Sequence, residues 1–365
     1  MDKIECEIEI LTPMFLGGAP QEQNGKILCE LRSQSVKGLL RFWWRAYKYG
    51  QLMGIHDVES RLSKLQKEED QIFGSVSGAG NKSSFAISIS PKNLNKYNQP
   101  LPNHKVPVKG KTFSINILEY LCYGTYEYVR GQGNKFVREY LKEDQVFNLK
   151  LRFDNQNYRE DILTALYLFS EFGGLGSRSR NGFGGLMVRN RDEAFVALGD
   201  GFSKNIISNK DFLDRLRVSD EIPPFTAFSS GIKLFTTVKK DYRSWDLCLA
   251  DLGKAYRNGR EELEPRHHYD KRQYIGAPLD PPQEHFKSIL ERHSKPYFLK
   301  VTKVGNNAYS GSILFIPSFY IYNEYEVKDK NRPPFDKARH NTQFQQTCMS
   351  FNKLLAKDER LEEVS

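Results

Sequence analysis

Basic side chains recur at helical spacing between Ser35 and Lys48, a stretch that no proline interrupts. At about 100° per residue, four cations fall on one stripe of the predicted helix: Lys37, Arg41, Arg45 and Lys48. Trp44 lies between this stripe and an apolar one, Arg32 stands just before the helix, and Ser35 can cap its N-terminus. A row of cations beside an aromatic ring suits a polyanion that carries flat bases.

An ordinary amphipathic helix with a solvated basic face would show the same pattern, and the stripe alone does not decide between the two. The apolar face consists of Val36, Leu40, Trp43 and Tyr47. Trp43 is therefore expected in the core, while Trp44 is open to either role, as a core residue or as a platform for a base. Gly38 costs about 1 kcal/mol of helix stability relative to alanine, unless a backbone or a phosphate approaches closely there.

A second candidate site is the glycine-dense stretch from Phe172 to Leu186, with Arg178 and Arg180 at its centre. Glycines such as Gly174 and Gly176 free backbone N–H groups to face an anion, and the arginines add charge and bidentate donors. The stretch is not a P-loop, because no Gly-Lys-Ser/Thr follows, and not a dinucleotide fingerprint, because a helix precedes it. The alternative is a flexible surface connector.

A metal-independent ribonuclease would need a general base near a 2′-hydroxyl and a cation for the charge that develops on phosphorus. The best candidates lie on the polar loop 264–282: His267, His268, Lys271 and Arg272. An exposed basic loop is the competing explanation, because adjacent histidines on a loop point in different directions. No Cys/His spacing suits zinc and no carboxylate cluster suits a two-metal nuclease, so neither a metal nor a cofactor is predicted.

Length and composition limit the class of protein. The chain has 365 residues, which favours two domains, and 39% of them are apolar, enough for a packed core. A net charge of +9 favours a polyanionic partner. The 5 scattered cysteines predict reduced, buried thiols, and no apolar run reaches the roughly 18 residues of a membrane span. Without a signal peptide either, we expect a cytoplasmic protein with no membrane contact.

Alternation of apolar and polar residues predicts the strands of the first half of the chain. They cover residues 4–10, 85–90, 147–153 and 186–188, and helices cover the basic stretch and residues 158–172. A polar, proline-rich insertion at about 91–145 interrupts this series. Without it the order is β-α-β-β-α-β, so residues 1–195 are predicted to form a ferredoxin-like (RRM-like) domain.

Residues 196–365 repeat the pattern more loosely. Strands at 231–238, 298–303 and 312–316 and helices at 245–256 and 342–357 give the order β-α-β-β-α, and the last residues, 359–365, are expected to fray. The predicted fold is therefore α+β, with two ferredoxin-like domains in tandem, insertions and a glycine-rich loop.

Three motifs resemble those of a known family: LTPMFLGG at 11–18, ELR at 30–32 and KGLLRFWWR at 37–45. Together with the glycine-dense stretch, they resemble the RAMP proteins of CRISPR effector complexes, and in particular the first RAMP subunit of the type III-B (Cmr) complex. The resemblance is strong over about residues 1–50 and 160–190. It is weak through 91–145 and in the C-terminal third.

The resemblance implies a non-catalytic RNA-binding subunit that lies near the 3′ end of the guide RNA and helps to capture target RNA for antiviral defence. Its partners would be the guide crRNA, single-stranded target RNA and the other Cmr subunits, while another subunit cuts the target. The phosphate contacts are expected first from Arg41, Arg45, Arg178 and Arg180, and then from Arg32, Lys37 and Lys48. Two alternatives stay open: a metal-independent endoribonuclease that processes guide RNA, and a purely structural assembly subunit.

The isolated chain is expected not to cleave RNA, with or without a divalent metal ion, because the sequence offers no pair of groups placed for acid–base catalysis. Incubation of the purified chain with a labelled repeat RNA, followed by a denaturing gel, measures this. Cleavage that His267→Ala or His268→Ala abolishes would establish the ribonuclease instead.

Overall fold

The structure is a computed structural model, and its described residues are 2–17, 29–76, 80–91, 93–108, 110–195, 214–216, 221–264, 268–276, 293–323 and 336–364. Within these ranges the chain is a mixed α+β fold with two four-stranded antiparallel sheets, so the predicted class is confirmed. Across the same ranges, no helix is long and apolar enough to cross a membrane.

Helices and strands follow one another along the chain in a fixed order. The first half holds β1 (Asp2–Ile10), α1 (Ser33–Gln51), α2 (Val58–Phe73), β2 (Phe85–Pro91), β3 (Lys96–Tyr97), β4 (Lys105–Pro107), β5 (Ser114–Asn116), α3 (Ile117–Leu121), β6 (Tyr126–Val129), β7 (Gly133–Phe136), β8 (Tyr140–Leu141), β9 (Val146–Phe153), α4 (Arg159–Phe172), β10 (Leu186–Val188) and α5 (Arg191–Phe195). The second half holds β11 (Lys233–Thr237), α6 (Trp245–Leu263), β12 (Tyr297–Gly305), β13 (Ala308–Phe315), α7 (Lys337–Lys357) and β14 (Leu361–Val364).

The first sheet has the strand order β10-β1-β9-β2, with antiparallel neighbours throughout. The alternating pattern of β1 sets the register, because Ile4 pairs with Leu151 and Ile8 with Phe147. These side chains are buried, and α1 and α4 pack against each other over the same core. Numbered within this half, the strands follow the order 4-1-3-2.

Helix α1 begins earlier than the sequence predicts. Arg32 takes the N-cap position in extended conformation, and the amides of Ser35 and Val36 already donate to its carbonyl oxygen. The prediction that Ser35 caps the helix is therefore wrong, since Ser35 lies inside the first turn. Trp43 is buried, as predicted. Gly38 is exposed with open space where a side chain would point, so no close approach requires it.

The insertion between β2 and β9 is only partly exposed. Its short helix α3 buries Ile117, Leu118 and Leu121 in the core of the second sheet. The contact is close, because a Cβ on Gly253 of α6 would approach Ile117 and Leu121 to within 3 Å. The insertion therefore joins the two halves of the chain.

The second sheet has the strand order β14-β11-β13-β12, and all its neighbouring strands are antiparallel. Numbered within this half, the order is again 4-1-3-2, with α6 and α7 as the connecting helices. The prediction that residues 359–365 fray is wrong. Leu361 pairs with Thr237 and Val364 with Leu234, and the buried side chain of Leu361 holds this last strand in place.

The two sheets meet at the glycine-dense stretch. The buried Lys300 of β12 donates from Nζ to the carbonyl oxygens of Gly173 (2.9 Å) and Leu186 (2.8 Å), near the two ends of that stretch. In its middle, the carbonyl oxygen of Arg180 accepts a hydrogen bond from the amide of Leu299 at 3.1 Å. The stretch is therefore attached to the second sheet along its length.

Replacing Lys300 with methionine should lower the free energy of unfolding by about 1–3 kcal/mol, because two buried carbonyl oxygens lose a charged donor. The matched control is Lys254→Met, which removes only a partly exposed ion pair with Asp251 and should cost less than about 1 kcal/mol. Urea denaturation of both variants measures the difference. Equal losses would show that Lys300 does not hold the two sheets together.

Candidate nucleic-acid interface

The basic stripe of α1 faces carboxylates of two neighbouring helices. Arg41 and Arg45 both pair with Glu69 of α2, whose side chain is only 4% exposed, and the Arg45 Nε lies 2.7 Å from Glu69 Oε2. The two arginine side chains remain 42% and 49% exposed. Their charge is therefore already compensated within the protein, although their outer edges reach solvent.

Lys48 completes the stripe and is compensated in the same way. Its Nζ lies 3.3 Å from both Glu68 Oε2 and Asp161 Oδ2. Burial alone would lower the pKa of Lys48, but the attraction of these two carboxylates outweighs it and raises that pKa. Lys48 is therefore a charged partner of acidic side chains before any RNA arrives.

Trp44 is fully buried, which contradicts its predicted role as a platform for a base. Its indole Nε1 donates to Asp161 Oδ2 at 3.1 Å, and its ring packs edge-to-face on Phe73 with centroids 5.8 Å apart. A buried tryptophan with a satisfied N–H belongs to the core.

The two remaining cations of this region, Arg32 and Lys37, have different surroundings. Arg32 donates to the carbonyl oxygen of Gly17 at 3.2 Å. Lys37 lies 5.4 Å from the centroid of the Phe85 ring, and burial, followed by the charge of Arg41, lowers its pKa. Lys37 and Arg41 line a surface cleft of about 520 Å³, which Asp70 also lines.

Several backbone N–H groups of the glycine-dense stretch already donate within the fold, which argues against an anion cradle. The amides of Leu175, Ser177 and Gly184 donate at 2.8 Å to the carbonyl oxygens of Gly184, Phe15 and Pro13, respectively. The glycines serve close packing instead: Gly174 is buried against Gly185, and Gly176 (φ +99°) lies against the backbone of Phe15.

The side chain of Arg180 packs between the two sheets. Its guanidinium lies 4.4 Å from the ring centroid of Phe298 and 5.6 Å from that of Phe42, and it donates to the carbonyl oxygen of Lys295. Burial lowers the pKa of Arg180 to about 10. These contacts give Arg180 a packing role, in place of the exposed phosphate contact that the sequence predicts.

Arg178 is the arginine of this stretch that the fold presents to solvent. It has a left-handed backbone (φ +62°), which costs a residue with a side chain about 1–2 kcal/mol. Its guanidinium lies against Gly124 and forms no salt bridge with any described residue. Partial burial, together with the like charge of Arg138, lowers the pKa of Arg178. Strain and an uncompensated charge at one exposed residue are typical of a functional site.

Sequence reasoning missed the residues around Arg178. Arg138 donates from Nη1 to Ser177 Oγ at 3.0 Å and also lacks a carboxylate partner in the described ranges. Tyr123 lies in electrostatic range of Arg178 and is 62% exposed. We call Arg178, Arg138, Ser177 and Tyr123 the Arg178 patch. The available signal was CYGTYEY at 122–128, where three tyrosines surround a glycine.

The structure describes only part of loop 264–282, which carries the two candidate histidines. His267 lies outside the described residues, and His268 is exposed. Arg272 belongs to a separate pocket beside α6. In the described ranges, no group of three or more His, Cys, Asp or Glu side chains could hold a metal ion.

Comparison with known proteins shows what the chain resembles. Residues 7–186 match the model of the RAMP superfamily. The resemblance to the RAMP subunits of Cmr complexes is thereby confirmed. The chain is 28% identical over 348 residues to the CRISPR system Cmr subunit Cmr1-1 of Pyrococcus furiosus, which covers 90% of each chain. It is 25% identical over 190 residues to Cmr1-2 of the same organism, which covers 50% of this chain and 93% of the other.

Solved structures share the fold. The crystal structure of Cmr1 from Pyrococcus furiosus in its apo form aligns with a TM-score of 0.55 and 20% identity, over 96% of this chain and 97% of the other. A chain of a type III-B Cmr-beta complex bound to cognate target RNA aligns with a TM-score of 0.51 and 12% identity, over 96% and 99% of the two chains.

Trp44→Ala should destabilise the protein by about 3–5 kcal/mol, because it opens a cavity and removes the indole donor of Asp161, which then keeps only Lys48 among the described residues. RNA affinity of the folded variant should stay that of the parent. Tyr123→Ala is the control, since removal of an exposed ring should leave the melting temperature almost unchanged. Thermal melts and RNA titrations of both variants test this, and a stable Trp44→Ala protein with weakened RNA binding would contradict it.

Proposed function

We propose that this chain is a non-catalytic RNA-binding subunit of a type III-B CRISPR RNA-guided complex in the cytoplasm. The observation that carries the proposal is the Arg178 patch, where two guanidinium groups without a carboxylate partner among the described residues lie beside the exposed ring of Tyr123. Guanidinium groups bind phosphates, and aromatic rings stack on unpaired bases, so the patch suits single-stranded RNA.

The candidate phosphate contacts differ in whether a carboxylate of the protein already compensates the charge of the arginine. A phosphate that approaches Arg41 or Arg45 must share the guanidinium with the buried carboxylate of Glu69. A phosphate that approaches Arg178 meets no competing carboxylate among the described residues. We therefore place the main RNA contact at Arg178 and Arg138, and a weaker one at the outer edge of the α1 stripe.

The relatives supply the biological setting of the proposal. Two curated relatives are Cmr subunits, and one structural neighbour belongs to a Cmr complex with bound target RNA. By resemblance, this chain would lie near the 3′ end of the guide RNA and help to capture target RNA. Its partners would be crRNA, target RNA and other Cmr subunits.

The proposed architecture is two ferredoxin-like domains, residues 1–195 and 196–365. Its support is the strand order 4-1-3-2, which both sheets follow, with helices between the first and second and between the third and fourth strands of each. The insertion at about 91–145 belongs to the first domain in sequence but packs into the core of the second.

Arg178→Ala should weaken binding of a single-stranded RNA and reduce the slope of log K against log salt by about 0.7, the effect of one lost phosphate contact. Tyr123→Ala should weaken binding by about 1–3 kcal/mol if the ring stacks on a base, and Tyr123→Phe should retain it. Fluorescence anisotropy with a labelled RNA at two or more salt concentrations measures both effects.

The matched control for Arg178→Ala is Arg243→Ala, because Arg243 is also an exposed arginine and lies outside the patch. It should bind RNA like the parent. If Arg178→Ala and Arg243→Ala give the same affinity and the same salt slope, the Arg178 patch is not the RNA site.

A further inference from the structure

A second cationic site lies where the β4–β5 hairpin meets α6, outside the Arg178 patch. This pocket has a volume of about 300 Å³. One wall comes from the insertion and is apolar, with Val108, Phe113 and Ile115. The opposite wall is mainly cationic and carries Arg257, Arg260 and Arg272 together with the carboxylate of Glu261. The pocket therefore exists only because the insertion packs against the second half of the chain.

The charge of Arg257, one of the three arginines, is compensated within the protein, and its role is structural. Arg257 is buried, and its Nη2 lies 2.7 Å from Glu261 Oε1, one helical turn away. Its Nη1 donates to the carbonyl oxygen of Pro107 at 3.4 Å. Arg257 thus attaches the hairpin to α6 and leaves no charge for a ligand.

The other two arginines lack a carboxylate partner. Arg260 donates to the hydroxyl of Tyr120 at 3.3 Å. Arg272 donates to the carbonyl oxygens of Arg260 (3.2 Å) and Glu264 (2.7 Å), and the Glu264 carboxylate accepts from backbone amides. In the described part of the chain, neither guanidinium forms a salt bridge. Burial, followed by the charge of Arg260, lowers the pKa of Arg272.

A buried lysine, Lys295, lies near the arginines of the pocket. The Nζ of Lys295 lies 4.1 Å from the ring centroid of Tyr256 and has no hydrogen-bond partner among the described residues. Burial, followed by the charges of Arg260, Arg180 and Arg178, lowers the pKa of Lys295 well below its usual range. Cationic side chains thus accumulate here, while the nearby carboxylates of Glu261 and Glu264 are engaged by Arg257 and by backbone amides, so an anion would stabilise the arrangement.

The apolar wall indicates what kind of anion fits. Phe113 is 53% exposed at the tip of the hairpin, where the amide of Val108 donates to its carbonyl oxygen at 3.3 Å. An exposed aromatic ring opposite two planar guanidinium groups suits a ligand with a flat apolar part and a charged part. A single nucleotide has both parts and a size that matches a pocket of about 300 Å³.

We propose that this pocket binds one nucleotide, with its phosphate on Arg260 and Arg272 and its base against Phe113 and Val108. The site goes beyond the proposed RNA contact at the Arg178 patch and does not depend on it. The nucleotide comes either from an RNA strand or from free mononucleotide, and both sources present the same chemistry.

Isothermal titration of the full chain with AMP tests the proposal. The parent should bind AMP, and adenosine, which lacks the phosphate, should bind at least about tenfold more weakly, because charge-assisted hydrogen bonds are lost. Arg260→Gln should weaken AMP binding by about tenfold or more. Phe113→Ala, at an exposed position that the fold does not need, should weaken it as well.

A control variant separates this site from its surroundings. Arg243→Gln removes an exposed arginine elsewhere and should bind AMP like the parent. No AMP binding by the parent, or equal binding by the parent and by Arg260→Gln, would overturn the proposal. Binding of a short polyglutamate peptide at this site in place of AMP would overturn it too, because the pocket would then serve an acidic protein partner.

Competition with a single-stranded RNA distinguishes the two sources. If the pocket holds a nucleotide of the strand, RNA should displace AMP, and Arg260→Gln should weaken RNA binding. If it holds a free mononucleotide, AMP and RNA should bind together, and Arg260→Gln should leave RNA affinity unchanged. A failure of Arg178→Ala to affect RNA would count against the proposed function alone, since AMP binding is measured without RNA.

Discussion

The arrangement of the two sheets depends on two hydrogen bonds that the buried ammonium group of Lys300 donates. It lies on the second sheet and donates to carbonyl oxygens near the two ends of the glycine-dense stretch of the first. Within that stretch, Gly182 and Gly184 have φ values of +88° and +65° and pack against Leu249 and the Leu175 backbone. Glycine is needed here because two sheets pack closely on one segment, and this packing leaves Arg178 at the surface.

Compensation of charge, more than the number of basic residues, decides which cations remain for RNA. Glu69 is a nearly buried carboxylate, and removing its cationic partners would leave an uncompensated buried charge, which costs several kcal/mol. Arg41 and Arg45 are therefore committed first to the stability of the α1–α2 pair. Arg178 and Arg138 form no ion pair with a carboxylate among the described residues. A net charge of +9 does not reveal this difference, because it counts both kinds of arginine alike.

Local patterns made part of the fold predictable from the sequence. The alternation in β1 and β9 and the apolar stripe of α1 predicted their buried faces, because each pattern is read within one element. Trp44 could not be placed, since the acceptor of its indole N–H lies 117 positions away, and the carboxylate that pairs with Arg41 lies 28 positions away. The last strand was missed because a single buried side chain, Leu361, fixes it. Contacts between residues that are far apart in the chain leave no periodic pattern in the sequence.

The insertion was the part of the chain that the sequence described least well, and it supplies one side of both proposed sites. Tyr123 belongs to the Arg178 patch, and Tyr120, three positions earlier, lines the nucleotide pocket. Between them, the carbonyl oxygen of Leu121 accepts a hydrogen bond from Asn181 Nδ2 at 2.6 Å, which ties α3 to the glycine-dense stretch. The segment that Lys300 holds therefore positions the insertion as well. Helix α3 is buried against α6, so a shift of the second sheet would move α3 as a unit. The aromatic rings of both sites would then move together.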